Sequence, residues 1–171
     1  MDLSLEHLKN GLPSINNKVC LSNFVSEKFL KNIKSLFTHL PNDLAHGYIA
    51  SGQSEAVDKL VKSLWVNNKN HNNLLSFKGH YFGQGSMLSN SLSGHPNSFF
   101  EVSILDNPTC ENEEDILKQV EELIKKGTYL SVWIEPLQSL SMERTSLTFL
   151  KKLRSLCDQY KTPLIFNESA S

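Results

Sequence analysis

Residues 130–136, LSVWIEP, set how the rest of the chain is read. An apolar run with one serine, Leu130 to Ile134, leads into Glu135 and stops at Pro136. Proline has no N–H to give a ladder, so it ends a strand. A short run this apolar suits a strand covered on both faces. Helical patterns flank it. Upstream, Asn112 precedes Ile116, Leu117, Val120, Leu123 and Ile124, which share one helical face and are closed off by Gly127. Downstream, Leu147, Leu150, Leu153 and Leu156 mark another helix. PLIFN (163–167) then reads as a final buried strand that delivers Asn167 and Glu168 at its end.

The same alternation continues toward the N-terminus. FFEVSIL (99–105), LLSF (74–77) and GYIA (47–50) are strand candidates. Val57, Leu60, Val61 and Leu64 form one face of a helix running to about Val66. A glycine-rich loop follows LLSF, with a short helix after it. Phe29, Ile33, Leu36 and Phe37 recur at helical spacing, with Ser26 as N-cap and Pro41 beyond the end. NNKNHNN (67–73) is a solvated connector, and His71 within it has no second metal ligand at useful spacing. Strands alternating with helices predict an α/β fold, a mostly parallel sheet with helices on both faces. In such sheets ligands bind outside the carboxyl ends of the strands.

Composition narrows the function. The chain has 171 residues, formal net charge −1, 39% apolar and 20% charged residues, as in a globular domain with a real core. The balanced charge gives no case for nucleic acid or an anionic membrane. No apolar stretch approaches the roughly 20 residues that span a bilayer. The start, MDLSLEHLKN, has no signal-peptide core, so a cytoplasmic location is expected. Cys20, Cys110 and Cys157 fit no metal or disulfide spacing and are expected to be buried thiols in a reducing compartment. No metal site is expected.

Polar segments should gather at the strand ends. SGQSEA (51–56) lies between a strand and a helix, where Gly52, Gln53 and Ser54 can present backbone N–H groups to an anion, or Ser54 simply caps the helix. KGHYFGQG (78–85) sets Tyr81 and Phe82 among glycines, either to stack on a flat ring or to cap the core. Glu135 and Asn167 close the two later strands.

The order of these segments resembles the class-III aminotransferases, the pyridoxal-phosphate family of ornithine, acetylornithine and γ-aminobutyrate aminotransferases. SG-x-S-E-A-V, then SFKG-x-Y-x-G, then EP, then L-x-x-L-C-x-x-Y…PLIF-x-E carry the likeness from about Gly47 to Glu168. It matches the middle portion of a typical member, which is more than twice as long. The resemblance implies a partial fold-type-I large domain over residues 43–171, preceded by an N-terminal helical region over 1–42. It implies that pyridoxal phosphate is the cofactor, with Gly52, Gln53 and Ser54 at the phosphate, Tyr81 and Phe82 at the ring, Glu135 as the ring-supporting carboxylate and Asn167 at the pyridine nitrogen.

Several positions depart from the family. Gln53 stands where glycine is expected and would crowd a phosphate. Phe82 replaces the usual histidine. Asn167 replaces the aspartate that holds the pyridinium by charge, which weakens the electron sink. Ser169 and Ala170 replace a valine packed on the ring and a glutamine near its phenolic oxygen. The family's Schiff-base lysine lies on a later segment, and Lys78 and Lys161 lie in the wrong segments for that role. Without it there is no base for the proton shift, so no catalytic residue is assigned. The strands that join GYIA to the sheet would also come later, leaving an open edge. The expectation is an aminotransferase-like domain without transaminase activity by itself, acting in binding or in a larger assembly, as a homo-oligomer or with a complementing chain. The alternatives are part of a functional transaminase whose lysine lies elsewhere, and a ligand-free interaction module.

Overall fold

The computed structural model describes residues 27–40, 44, 46–95 and 101–170. The N-cap expected at Ser26, the stop at Pro41, the side chain of Phe29, Cys20 and the first residues of FFEVSIL lie outside the described residues. The chain divides into two compact units, residues 1–48 and 49–171. The described part of the first contains α1 (Glu27–Phe37), where Glu27 pairs with Lys31 one turn on.

The second unit runs α2 (Gln53–Asn67), β1 (Asn73–Phe77), α3 (Met87–Leu92), β2 (Glu101–Leu105), α4 (Glu113–Ile124), β3 (Tyr129–Ile134), α5 (Leu147–Gln159) and β4 (Leu164–Phe166). The four strands form one sheet in the order β2-β1-β3-β4. Every pairing is parallel, so all strand ends point the same way. The expected α/β architecture is what the chain adopts.

Side-chain alternation splits the core into two layers. Leu75, Phe77, Val132 and Ile134 face Ile116, Val120, Phe149 and Leu153 of α4 and α5. Leu74, Leu130 and Trp133 face Val57 and Val61 of α2, Leu92 of α3 and Phe82. Tyr129 and Ser131 pair with consecutive residues of β1, which leaves Leu130 as the extra residue of a bulge. The bulge places Leu130 on the same face as Trp133.

Several expectations are corrected. GYIA joins no ladder of the sheet, and Ile49 is 45% exposed. A strand is stabilised by its neighbours, and local apolar character alone does not make one. PLIFN is not buried. Its strand lies at the sheet edge with Phe166 43% exposed, because β3 covers one side only. On α5 the buried face is Phe149, Leu153 and Cys157, while Leu147 is exposed. Four-residue steps track a helix face more closely than the three-residue steps of the leucines. Cys110 is exposed, because it sits in the turn before α4, whereas Cys157 is buried and its thiol is pushed up to about 12, chiefly by burial. No helix among the described residues is long and apolar enough to cross a membrane.

Candidate functional site

The strand-end segments converge on the backbone of one residue, Tyr81. Its N–H donates to Glu135 Oε2 at 2.8 Å. Its carbonyl accepts from Asn167 Nδ2 at 2.7 Å and from Gln53 Nε2 at 3.3 Å. Residues from four separate parts of the sequence therefore meet at the carboxyl edge of the sheet, as the parallel topology requires.

Glu135 is fully buried. Its oxygens accept from Tyr81 N–H, Ser139 N–H, Ser139 Oγ and Asn167 Nδ2. These donors fill the acceptor capacity of a carboxylate. Its own N–H donates to His80 Nδ1 at 2.8 Å, and its carbonyl accepts from Thr145 Oγ1 at 3.2 Å. Both ends of the residue are thus held.

Asn167 is half-buried. Its side-chain N–H₂ donates to Tyr81 O at 2.7 Å and to Glu135 Oε1 at 3.2 Å. Both amide hydrogens are engaged, and the opposite amide orientation would set an oxygen against two acceptors. Its Oδ1 accepts from Ser169 N at 3.4 Å. Its backbone N–H continues the β4 ladder to Ile134 O.

The first loop takes a different form from the one expected. Gly52, not Ser54, is the N-cap of α2, and its φ of −173° is extended backbone open to any residue. Ser54 lies within the first turn. Its hydroxyl accepts from Gly85 N–H at 2.8 Å and from Ser89 Oγ at 3.0 Å. The loop after β1 therefore lies directly on the start of α2. Gly83, at φ +97°, brings the chain so close that an added Cβ would stand 2.5 Å from Ser54 Oγ. Glu55 reaches back to Ser51 N–H at 2.6 Å, and its carboxyl is held down to about 2 by Lys59 first and Ser51 next.

The two aromatics part company. Phe82 is fully buried and meets Trp133 edge-on, with ring centroids 5.7 Å apart. It takes the core-capping role, worth about 2–3 kcal/mol of burial. Tyr81 stays half-buried beside the hub. A cavity of about 130 Å³ lies nearby, lined by Gln53, Val57, Phe82, Trp133, Phe166 and Asn167. Lys78 is exposed and pairs with Asp106 at 2.5 Å, and Lys161 is exposed in the turn after α5. Among the described residues no group of His, Cys, Asp and Glu is gathered to hold a metal ion.

His80 is the hub residue that motif reading passes over. It is 1% exposed and bridges the β1 loop, the end of β3 and Asn107. The available signal is a titratable residue set between Gly79 and Tyr81 in a segment that has to pack tightly.

Comparisons with known proteins agree with this architecture. No family model matches the chain. The adenosylmethionine-8-amino-7-oxononanoate aminotransferase of Buchnera aphidicola subsp. Baizongia pistaciae (strain Bp) is 30% identical over 158 residues, covering 81% of this chain and 37% of that protein. A glutamate-1-semialdehyde aminomutase from Pseudomonas aeruginosa PAO1 superposes with a TM-score of 0.75 at 14% identity, over 98% of this chain and 38% of that one. A transaminase with PLP bound gives 0.69 at 16% identity, over 98% and 41%. The chain spans well under half the length of each. The likeness carried by the strand-end motifs is thereby borne out: the chain is similar in sequence to part of an aminotransferase and has the fold of part of a transaminase.

Proposed function

We propose that this chain is an aminotransferase-like domain that does not transaminate by itself and acts by binding, within a larger assembly. The single observation behind this reading is Asn167. Both of its amide hydrogens are spent on Tyr81 and Glu135, and an amide brings no charge to a pyridine nitrogen. The relatives' cofactor, pyridoxal phosphate, is the ligand in question, and these residues do not fit a ring held by charge. The cavity beside them is about 130 Å³, against about 300–1,000 Å³ for ordinary ligand pockets. Ser54, at the phosphate position, already accepts two hydrogen bonds from the neighbouring loop. Gln53, Ser54, Tyr81, Glu135 and Asn167 are therefore assigned to holding the loops of a binding surface together, with Gly52 starting α2 and Phe82 in the core beneath. The assembly part of the proposal is supported by β4, a sheet-edge strand that has a ladder only to β3 among the described strands.

A second reading rests on length. The chain covers 37% of its aminotransferase relative, so the lysine of a functional transaminase would lie on a portion outside these residues or on another polypeptide. One experiment tests the first reading directly. The purified chain is mixed with pyridoxal phosphate, scanned in the visible range, reduced with borohydride and mapped by mass spectrometry. The expected result is no cofactor fixed to a single lysine and no turnover of an amino donor. A single stoichiometric adduct with turnover overturns the proposal. Sedimentation over a range of concentrations is expected to give a mass above the monomer or a shift with added partner, and a strict monomer that takes up no partner removes the assembly part.

A further inference from the structure

The two ring nitrogens of His80 have opposite partners. Nδ1 accepts the Glu135 N–H at 2.8 Å, and Nε2 lies 3.2 Å from Asn107 Oδ1. Asn107 Oδ1 also accepts from Gln138 Nε2 at 2.6 Å, which fixes it as an acceptor. Nε2 therefore carries the proton and Nδ1 the lone pair, and the neutral imidazole satisfies both contacts at once. An imidazolium cannot. It places a second N–H on Nδ1, facing the Glu135 N–H in a position almost closed to water.

We propose that His80 is a proton-sensitive positioning residue: neutral, it pins the end of β3 to the Tyr81 loop, and on protonation it releases the Tyr81–Glu135–Asn167 hub. The pin acts through Glu135, which lies between His80 on its backbone side and Tyr81 and Asn167 on its side-chain side. The inference concerns the hub alone and holds whether or not a cofactor binds there.

The groups facing His80 are few. Phe77 from β1 and Phe82 from the loop flank the ring, with centroids at 5.7 and 6.4 Å. Asn107 follows β2, and Glu135 and Gln138 follow β3. Glu135 is the charged one among them. Burial pushes the His80 pKa below its ordinary 6.5, while the Asn107 hydrogen bond and the Glu135 charge pull it up by less. The unfolded chain thus takes up a proton at higher pH than the folded one. Stability is level above about 6.5 and falls as pH drops from there toward the folded pKa.

Amide exchange measured residue by residue tests the pin on the intact chain. Between pH 7.5 and 4.5, after correction for the intrinsic pH dependence of exchange, the Glu135 and Tyr81 amides are expected to lose protection about tenfold or more relative to the β1 amides, the change one pK unit of coupling gives. The loss should follow the His80 ring titration seen by NMR. His80→Asn leaves an oxygen near the Nδ1 position and removes the titration, so protection there should become independent of pH. The proposal is overturned if His80 stays neutral down to pH 4.5, if it titrates while the Glu135 amide keeps pace with β1, or if the acid loss persists in His80→Asn. Should that variant not fold, the wild-type titration and exchange decide.

Discussion

Glu135 and Asn167 end neighbouring parallel strands, and each follows an apolar run, LSVWI and PLIF. Their settings differ nevertheless. β3 lies between β1 and β4, so the end of the strand is enclosed and Glu135 is fully buried among four donors. β4 lies at the edge, so Asn167 is half-exposed and serves the Tyr81 carbonyl and its neighbour's carboxylate. The position of a strand within its sheet decides whether a polar end becomes a structural centre or an accessory to one.

The largest expected effect breaks the centre. Glu135→Ala leaves the Tyr81 and Ser139 N–H groups and one Asn167 hydrogen without their acceptor. The loss should be about 3 kcal/mol, read as a lowered urea midpoint. A loss below about 1 kcal/mol would remove Glu135 from the middle of the hub. Next comes the loop that brings Tyr81 to it. Gly83→Ala forces φ +97° on a residue with a Cβ and sets that carbon 2.5 Å from Ser54 Oγ, at a cost of about 2 kcal/mol. Gly52→Ala, with extended backbone and no atom within 4 Å of the new Cβ, should lose about 1 kcal/mol or less. Equal losses at the two glycines would mean that the close approach of loop and helix is not what holds the site.

Asn167→Asp sharpens the comparison from the other side. It replaces the donor 3.2 Å from Glu135 Oε1 with a second carboxylate. The expected loss at pH 7 is about 1.5 kcal/mol, smaller than at Glu135 because the edge position is half-solvated. At pH 4 the loss should shrink as the pair takes up a proton. A variant as stable as the parent at pH 7 would show that the hub does not specify the amide.

These outcomes also mark what was legible in the sequence. The βα alternation and the parallel sheet followed from local patterning, since LLSF and LSVWIE each carry enough apolar character to need two covered faces. Residues at the strand ends were legible too, because chain direction places them on one edge. The edge position of β4 was not, because pairing between strands is a long-range property that an isolated apolar run does not encode. Phe82 and Tyr81 are adjacent in sequence, yet only the layer formed by Trp133, Val57, Val61, Leu74 and Leu92 decides which becomes core. His80 is not legible because its partners, Asn107 and the Glu135 backbone, are separated from it by 27 and 55 residues.

The smallest effect lies at the first residue of the loop. Lys78 and Asp106 form a direct ion pair at 2.5 Å, yet their side chains are 66% and 63% exposed. Water screens such a pair, and ordering two flexible side chains offsets what remains. Lys78→Ala should therefore cost about 0.5 kcal/mol or less and become neutral at high salt. Set against Glu135, the contrast is one of solvent rather than distance, since a 2.8 Å contact inside the hub outweighs a shorter one in water. The same variant bears on the chemistry. If Lys78 is a surface residue, its removal leaves the response of the chain to pyridoxal phosphate unchanged. A borohydride-fixed adduct that disappears in Lys78→Ala would turn that exposed pair into part of a reactive site, and the ranking of the two regions would reverse.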